Sequence, residues 1–596
     1  MPSYKAPVDD TLFLLRDVLD YGRYGNLPRF GEAPLDVVEA VLSEGGKFAE
    51  EVLQPLNRVG DTQGCVREAD GSVRTPKGFK EAYKAFAEGG WVGLDGDPAY
   101  GGQGLPHFLA VALSEYTIAA NLSFAMYPGL TNGAAAALAT HGSDELKQRY
   151  LPKMTTGAWT ATMNLTEPHC GTDLGLIKTR ATRQSDGSYL LTGQKIFISA
   201  GEHDLADNII HLVLARIDGA PAGTKGVSMF VAPKVLVNDD GSLGARNGVA
   251  CGSIEHKMGI HGNSTCVLNY DGAKGWLVGE ENRGLNAMFV MMNAARLGVA
   301  VQGLSLSEVA YQNAAAYAKE RLQGRSLTGA KAPDKPADPL LVHPDVRRML
   351  LEIRAFNEAA RALMLWVALS EDEALSSPDA NARKLADDRV GLLTPVIKGV
   401  FTDQGFANAV KAQQVLGGHG YIAEWGLEQF VRDARITMIY EGANGVQALD
   451  LVGRKLPKDG GRAITAFFGD VSAFLAADKD DSALAPYLAP AKAALGQLQQ
   501  ATMWLMQNGM KNPDNAGAAS NDYMHLFGLT ALAFMWARIA KAVLARQAAG
   551  TSDATLDSKL TLAKFFAARV LPEAGACLAR LSSGAETVMA LPAAAF

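Results

Sequence analysis

The order of two hydrophobic patterns along the 596 residues constrains the fold more than any other feature of the sequence. From about Leu12 to Lys153, apolar residues recur every three or four positions, which predicts helices. Between Thr160 and Leu277 the pattern changes to short runs with strand composition, separated by Gly, Asp and Pro turns. Helical patterns return after Glu280. This order does not match the strand and helix alternation of a dinucleotide-binding Rossmann domain.

We therefore predict an α+β chain that is mainly α-helical and has more than one hydrophobic core. Its predicted domains are residues 1–159 (helical), 160–279 (strands), 280–456 (helical) and 457–596 (an additional helical domain). A stretch rich in Pro, Gly and charge at residues 326–340 predicts an exposed loop inside the third domain.

Charge and cysteine usage exclude several functional classes. The net charge of −7 disfavours nucleic acid as a partner, because a nucleic-acid binder needs a basic surface. The five cysteines lack CxxC spacing, and the ten histidines show no paired spacing, so we predict neither disulfides nor a metal site. A reducing, cytoplasmic location fits this cysteine set.

The hydrophobic runs do not predict a membrane protein. The N-terminal sequence lacks the features of a signal peptide, and no apolar run is judged long enough to cross a bilayer. The apolar segment 523–546 has hydrophobic residues on more than one face, which favours packing in a core over lying on a membrane.

Four sequence motifs occur in a specific order. They are MNLTEPHCGTD (163–173), GQKIFIS (193–199), QVLGGHGY (414–421) and RDARITMIYEGANGVQ (432–447). Taken singly, each could be an ordinary turn, strand or helix start. Together and in this order they resemble the acyl-CoA dehydrogenases over roughly residues 80–455.

The resemblance implies a fold and a reaction. It implies a central β-barrel-like domain and a C-terminal four-helix bundle, and the additional helical domain resembles that of the larger family members. FAD is the implied cofactor, an acyl-CoA thioester the implied substrate and an electron-transfer flavoprotein the implied electron acceptor. Glu441 would remove the α-proton while the flavin accepts hydride from the β-carbon. The alternative for an isolated Glu441 is a carboxylate that stabilises a helix N-terminus.

The resemblance also implies which residues hold the cofactor and the substrate. Those implied for FAD are Met163, Leu165, Thr166, Gly171, Thr172, Phe197, Ser199, Arg321, Gln414, Gly417 and Gly418, the last four toward the FAD of a neighbouring subunit. Those implied for the substrate are Asn293, Arg296, Tyr440 and Gly442. Strand alternation predicts that Phe197 and Ser199 share one face, opposite Ile196 and Ile198.

The sequence departs from the family pattern at three positions and leaves some alternatives open. Gly324 stands where relatives often have Phe, and Ala443 and Gly445 stand where they often have Thr and Gln. An acyl-CoA oxidase and a non-catalytic flavin-binding relative remain alternatives. The substrate is a saturated fatty acyl-CoA or, more narrowly, a short thioether acyl-CoA. We also predict that residues 457–596 cover the surface used for tetramer assembly in shorter relatives, which gives a homodimer.

Overall fold

The structure, a computed structural model, describes residues 2–551 and 553–596. The chain divides into two compact units. The first unit combines the N-terminal residues up to Ser43 with Val299–Phe596, and the second is Glu44–Gly298. The first 43 residues thus group with the C-terminal helices and not with the N-terminal ones. The predicted division into four consecutive domains stays a prediction.

In the described part of the chain, seven α-helices precede the central strands. They are α1 (Val8–Phe13), α2 (Leu35–Phe48), α3 (Gln54–Gln63), α4 (Phe79–Glu88), α5 (His107–Ala120), α6 (Leu122–His141) and α7 (Asp144–Thr155). Polar caps set the starts of the last two: the Asn121 side-chain oxygen accepts from Phe124 N, and the Ser143 hydroxyl accepts from Leu146 N. Such caps satisfy backbone N–H groups that have no partner in the first turn. The predicted N-terminal helices are confirmed.

The strands of the second unit form a barrel-like sheet. They are β1 (Val66–Arg67), β2 (Val73–Arg74), β3 (Thr160–Asn164), β4 (Arg180–Arg183), β5 (Tyr189–Ser199), β6 (Ile209–Ile217), β7 (Ser228–Pro233), β8 (Val235–Val237), β9 (Leu243–Arg246), β10 (Val249–Ile254) and β11 (Thr265–Val278). The pairs β11–β5, β5–β4, β4–β6, β6–β7 and β7–β11 make a closed circuit, which confirms the predicted β-barrel-like domain. β3 runs parallel to β6, and both strands are almost wholly buried.

The helices after the strands dominate the first unit. They are α8 (Gly284–Glu320), α9 (Pro344–Ser376), α10 (Ala380–Val415), α11 (Leu427–Arg435), α12 (Asn444–Asp450), α13 (Arg462–Ala477), α14 (Ala485–Asn508), α15 (Pro513–Ala548), α16 (Ala554–Arg569), α17 (Glu573–Ser582) and α18 (Glu586–Met589). Helices α8 and α10 touch through their backbones, since a Cβ on Gly303 would lie 2.3 Å from the Phe401 oxygen. Only glycine permits so close an approach. The predicted mainly helical C-terminal architecture is confirmed.

Among the described residues, two helices, α8 and α15, have the length and hydropathy that would allow a helix to cross a membrane. The sequence-based prediction that no apolar run is long enough to cross a bilayer was therefore wrong as a statement about helix length and hydropathy. In the most apolar window of α15, 83% of the residues are buried inside the protein, and half are buried in that of α8. α15 contains the segment 523–546 and packs against α9, α10 and α14, as expected of a core helix.

Candidate active site

The predicted base lies in a strained loop of the first unit. We call residues 439–443 the base loop; it joins a short 3₁₀ turn (Ile436–Met438) to α12. Glu441 is half-buried and has φ +54°, and Gly442 follows with φ +85°. A left-handed conformation costs a non-glycine residue about 1–2 kcal/mol. The surrounding structure must therefore hold Glu441 in this conformation, and such strain is typical of functional sites.

Two buried side chains hold the base loop by its carbonyl oxygens. Gln447 Nε2 donates to the main-chain oxygens of Glu441 and Gly442 at 3.3 and 3.2 Å. Lys398 Nζ donates to the oxygen of Gly442 at 2.8 Å. Neither Gln447 nor Lys398 has exposed surface. Sequence reasoning assigned no role to either residue, although Gln447 is the last residue of the fourth motif.

Tyr440 is anchored beside the base. Its hydroxyl donates to Gln302 Oε1 on α8. Burial, and secondarily the negative charge of Glu441, raise the pKa of Tyr440 above its ordinary value. Tyr440 is a neutral hydrogen-bond donor, and the negative charge of the nearby Glu441 further disfavours ionisation of its phenol.

A second group of predicted residues meets in the second unit, where β3 and β5 end. Ile196 N donates to Thr166 O at 2.9 Å, which joins the first two sequence motifs. Gly171 adjoins Thr166, since a Cβ there would lie 3.3 Å from the threonine methyl group. Met163, Thr166 and Ser199 are half-buried and Leu165 is nearly buried, whereas Gly171 and Thr172 are exposed.

A buried ion pair that sequence reasoning missed organises this group. Lys195 Nζ donates to Glu167 Oε1 at 2.8 Å and to Leu165 O at 3.0 Å. Glu167 also accepts from the hydroxyl and the N–H of Thr179. Burial alone would raise the pKa of Glu167, but Lys195 and these donors lower it. Burial lowers the pKa of Lys195, against the opposing effect of Glu167.

Phe197 departs from the predicted strand alternation. Its φ is +58°, and the pairing of β5 with β11 shifts register beside it. As a result Phe197 is 60% exposed, Ile196 is half-buried and Ile198 is buried, so the predicted two-faced pattern is wrong at this point. An exposed aromatic ring on a strained backbone suits a planar ligand such as a flavin ring.

The third group surrounds the turn that follows α10 in the first unit. Gln414, Gly417 and Gly418 are exposed, and among the described residues no heavy atom lies within 4 Å of a Cβ built on either glycine. The Tyr317 hydroxyl bonds His419 Nδ1 at 2.7 Å, which ties this turn to the end of α8. Arg321, one helical turn after Tyr317, is exposed and available to an anionic group. His419 also stacks on Trp425, and neither aromatic was foreseen.

Asn293 and Arg296, the two further residues predicted for the substrate, lie one turn apart on α8. Asn293 is exposed, whereas Arg296 is only 6% exposed, and its Nη1 lies 3.5 Å from Asn293 Oδ1. Their role in substrate binding stays a prediction.

One cluster in the described chain has the composition of a metal site. Potential ligand atoms of Glu167, His169 and Cys170 lie within 4.8 Å of one another. The Glu167 carboxylate is already occupied by Lys195 and three further donors, two from Thr179 and one from Lys178 N. We assign no metal to this cluster, because a cation would have to displace the buried ammonium group.

Comparison with known protein families identifies the family of this chain. Acyl-CoA dehydrogenase models match the N-terminal domain at residues 39–158, the middle domain at 162–273 and the C-terminal domain at 282–456. The chain belongs to the acyl-CoA dehydrogenase family. The model named "Acetyl-CoA dehydrogenase C-terminal like" matches residues 467–592. The predicted family, its enzyme class (oxidoreductases acting on a CH–CH bond) and its FAD cofactor are confirmed.

Similar proteins match almost the whole chain. The 3-methylmercaptopropionyl-CoA dehydrogenase of Ruegeria pomeroyi is 41% identical over 98% of this chain and 99% of its own length. The broad-specificity linear acyl-CoA dehydrogenase FadE5 of Mycobacterium tuberculosis is 34% identical, over 96% of each chain. A crystal structure of an acyl-CoA dehydrogenase from Bacillus anthracis complexed with FAD has the same fold, with 22% identity, a TM-score of 0.74 and coverage of 92% of this chain and 88% of that chain.

Proposed function

We propose that this acyl-CoA dehydrogenase uses Glu441 as the base that removes the α-proton of an acyl-CoA thioester. The observation that carries the proposal is the conformation of the base loop. A half-buried carboxylate is held on a left-handed backbone by two buried side chains. Partial removal from water makes a carboxylate more basic, which a weakly acidic α-carbon requires.

In the proposed reaction, the proton and the hydride leave the substrate in one step. The α-carbon–hydrogen bond breaks and its proton moves to the Glu441 carboxylate. The hydride leaves the β-carbon, and the electron pair left at the α-carbon forms the double bond of a trans-2-enoyl-CoA. FAD, when bound, supplies the hydride acceptor. The Glu441 N–H is a candidate donor to the thioester oxygen, where it would stabilise negative charge as it develops.

We propose that the residues around Phe197, all of which belong to the second unit, hold the FAD ring. Phe197 offers an exposed planar surface, Thr166 a hydroxyl and the exposed Gly171–Thr172 turn backbone N–H groups. In the first unit, Arg321 and the open Gly417–Gly418 turn could bind a pyrophosphate, because a guanidinium pairs bidentately with phosphate oxygens. We propose that these last residues serve the FAD of a neighbouring subunit.

The substrate is proposed to be a linear acyl-CoA. A short thioether acyl-CoA is the second candidate, favoured by 41% identity over 98% of the chain to an enzyme named for such a substrate. A panel of saturated acyl-CoAs of increasing length, with 3-methylmercaptopropionyl-CoA included, separates the two. The rate of flavin reduction under anaerobic conditions is the readout. If no member of the panel reduces the flavin, the proposed function is wrong.

We further propose an electron-transfer flavoprotein as the acceptor, as the family resemblance implies. An acyl-CoA oxidase would share the first half of the reaction and would then release one peroxide per turnover in air without another acceptor. Measuring peroxide against enoyl-CoA therefore distinguishes the two. We expect peroxide well below the amount of product.

The assembly and the compartment are also proposals. We propose a homodimer, because α13, α15 and α16 of the extension pack against α9, α10 and α12. A stable tetramer in light scattering would contradict it. We propose a cytoplasmic location, since all five cysteines are unpaired, which suits a reducing compartment.

A further inference from the structure

A chain of polar contacts starts at the base loop and continues into α10. Lys398 Nζ, which holds the Gly442 oxygen, also donates to Asn444 Oδ1 at 2.8 Å. Asn444 Nδ2 donates to Asp403 Oδ1 at 2.7 Å and to Thr402 Oγ1 at 2.9 Å. Asn444 is the first residue of α12, immediately after the base loop. The side chain of Asn444 therefore helps to position the ammonium group of Lys398.

The same chain ends on the C-terminal extension, residues 457–596. His525 on α15 bonds the second carboxylate oxygen of Asp403, with 2.9 Å between Nε2 and Oδ2. Asp403 is thus bound by Asn444 on one oxygen and by His525 on the other. A carboxylate fixed at both oxygens has one orientation, whereas a carboxylate held at one oxygen is free to rotate.

Close helix packing on both sides of His525 makes this contact rigid. A Cβ on Gly399 would lie 2.3 Å from Met524 Sδ, and a Cβ on Gly528 would lie 2.6 Å from Val400. Helices α10 and α15 therefore meet through glycines next to Lys398 and next to His525. Because glycine allows this approach, the short imidazole side chain reaches Asp403 directly.

We propose that the C-terminal extension positions the Glu441 carboxylate, with His525 and Asp403 as positioning residues that act through Asn444 and Lys398. The inference rests on the proposed role of Glu441 as the base. The strain in the base loop gives it a physical reason, because a left-handed Glu441 relaxes toward commoner conformations once its supports loosen. A displacement of the base by a fraction of an ångström to 1 Å is enough to slow proton transfer.

His525→Ala tests the proposal against a matched control on the same helix. The control is Asp522→Asn, which weakens the 2.8 Å contact between Asp522 and Arg580 one turn away. His525→Gln is the conservative variant, since its amide can still donate to Asp403. Two readouts are compared in the full-length, FAD-loaded protein. One is amide hydrogen exchange of residues 439–450, and the other is the limiting rate of flavin reduction by acyl-CoA, separated from the apparent substrate Kd.

We expect His525→Ala to accelerate exchange in residues 439–450 roughly tenfold and to lower the limiting reduction rate roughly tenfold, with little change in Kd. His525→Gln should recover most of both effects, and Asp522→Asn should show neither. Unchanged exchange in His525→Ala would overturn the inference, as would equal effects in Asp522→Asn.

The outcome also separates this inference from the proposed function. If acyl-CoA reduces the flavin of the parent and that of His525→Ala equally fast, the positioning role is wrong and the proposed function stands. If no acyl-CoA reduces the flavin of the parent, the proposed function is wrong, and so is the proposed catalytic role of the contact between His525 and Asp403. Hydrogen exchange then decides by itself whether the extension holds the loop.

Discussion

Gln447 Nε2 lies 3.3 Å from the main-chain oxygen of Glu441, six residues earlier in the chain. The contact places the buried side-chain amide of Gln447 against the backbone of Glu441, the residue that we propose as the base. It also explains the glycine that follows, because a Cβ on Gly442 would lie 2.4 Å from the same Nε2. The conformation of the base loop thus depends on the absence of a side chain at Gly442 and on the buried amide of Gln447.

Gly442→Ala should disable the base without unfolding the protein. The new methyl group would collide with Gln447 and would occupy a left-handed conformation, so the loop must shift. We expect the limiting rate of flavin reduction to fall about 10- to 100-fold. Gly469→Ala on α13 is the control, since open space surrounds that position. A Gly442→Ala enzyme with the parent's rate would show that this contact does not set the geometry.

Lys195→Met should destabilise the second unit and weaken FAD binding. Removing one partner leaves the Glu167 carboxylate buried without its cation, which costs about 3–5 kcal/mol. Urea unfolding and the FAD content after dialysis are the measurements. Lys274→Met is the control, because it removes a solvent-exposed pair with Asp186 that should contribute little to stability. Equal destabilisation by the two variants would contradict the assigned role of Lys195.

Phe197→Gly should separate stability from cofactor binding. Glycine removes about 1–2 kcal/mol of backbone strain at φ +58°, so the apoprotein should lose no stability despite losing a large side chain. The same change removes the exposed ring and should raise the Kd for FAD about tenfold, the effect of losing one aromatic contact. Phe197→Tyr retains the ring and should bind FAD as the parent does. Normal FAD affinity in Phe197→Gly would remove Phe197 from the proposed cofactor site.

An ion pair between Asp10 on α1 and Lys559 on α16 links the N-terminal helix to the C-terminal extension, and its strength depends on pH. Asp10 forms ion pairs with Lys559 and Arg361. Burial by itself would raise the pKa of Asp10, but the two cations outweigh it and lower the pKa from 3.8 to about 2. Because the folded pKa is lowered, the stabilisation is fully present above about pH 4 and is lost as the pH falls toward 2.

Asp10→Asn should therefore lower the free energy of unfolding by about 2 kcal/mol at pH 7, and by progressively less below pH 4. Asp9→Asn, which changes the exposed neighbour, should have little effect at either pH. Urea denaturation at pH 7 and pH 3 measures the difference. A deficit in Asp10→Asn that does not shrink at pH 3 would show that the carboxylate's charge is not the cause.

The sequence predicted the helix, strand and helix order, because hydrophobic periodicity is a local property. It also pointed to Glu441 and to the β3 and β5 motifs through family resemblance. It could not predict Lys398 or His525, whose roles depend on contacts between residues far apart in the chain, or Gln447, whose role depends on the left-handed turn of the base loop. The alternation in β5 failed at Phe197 for a related reason, since a register shift against β11 is invisible in the strand's own sequence.

The central claim is that the Glu441 carboxylate removes the substrate's α-proton. Glu441→Gln preserves the size of the side chain and removes its basicity, and Glu424→Gln in the exposed turn before α11 is the control. We predict that anaerobic flavin reduction by saturating acyl-CoA will slow at least about 10³-fold in Glu441→Gln and remain at the parent's rate in Glu424→Gln, with FAD retained in both. Reduction of the Glu441→Gln flavin at the parent's rate would contradict the claim.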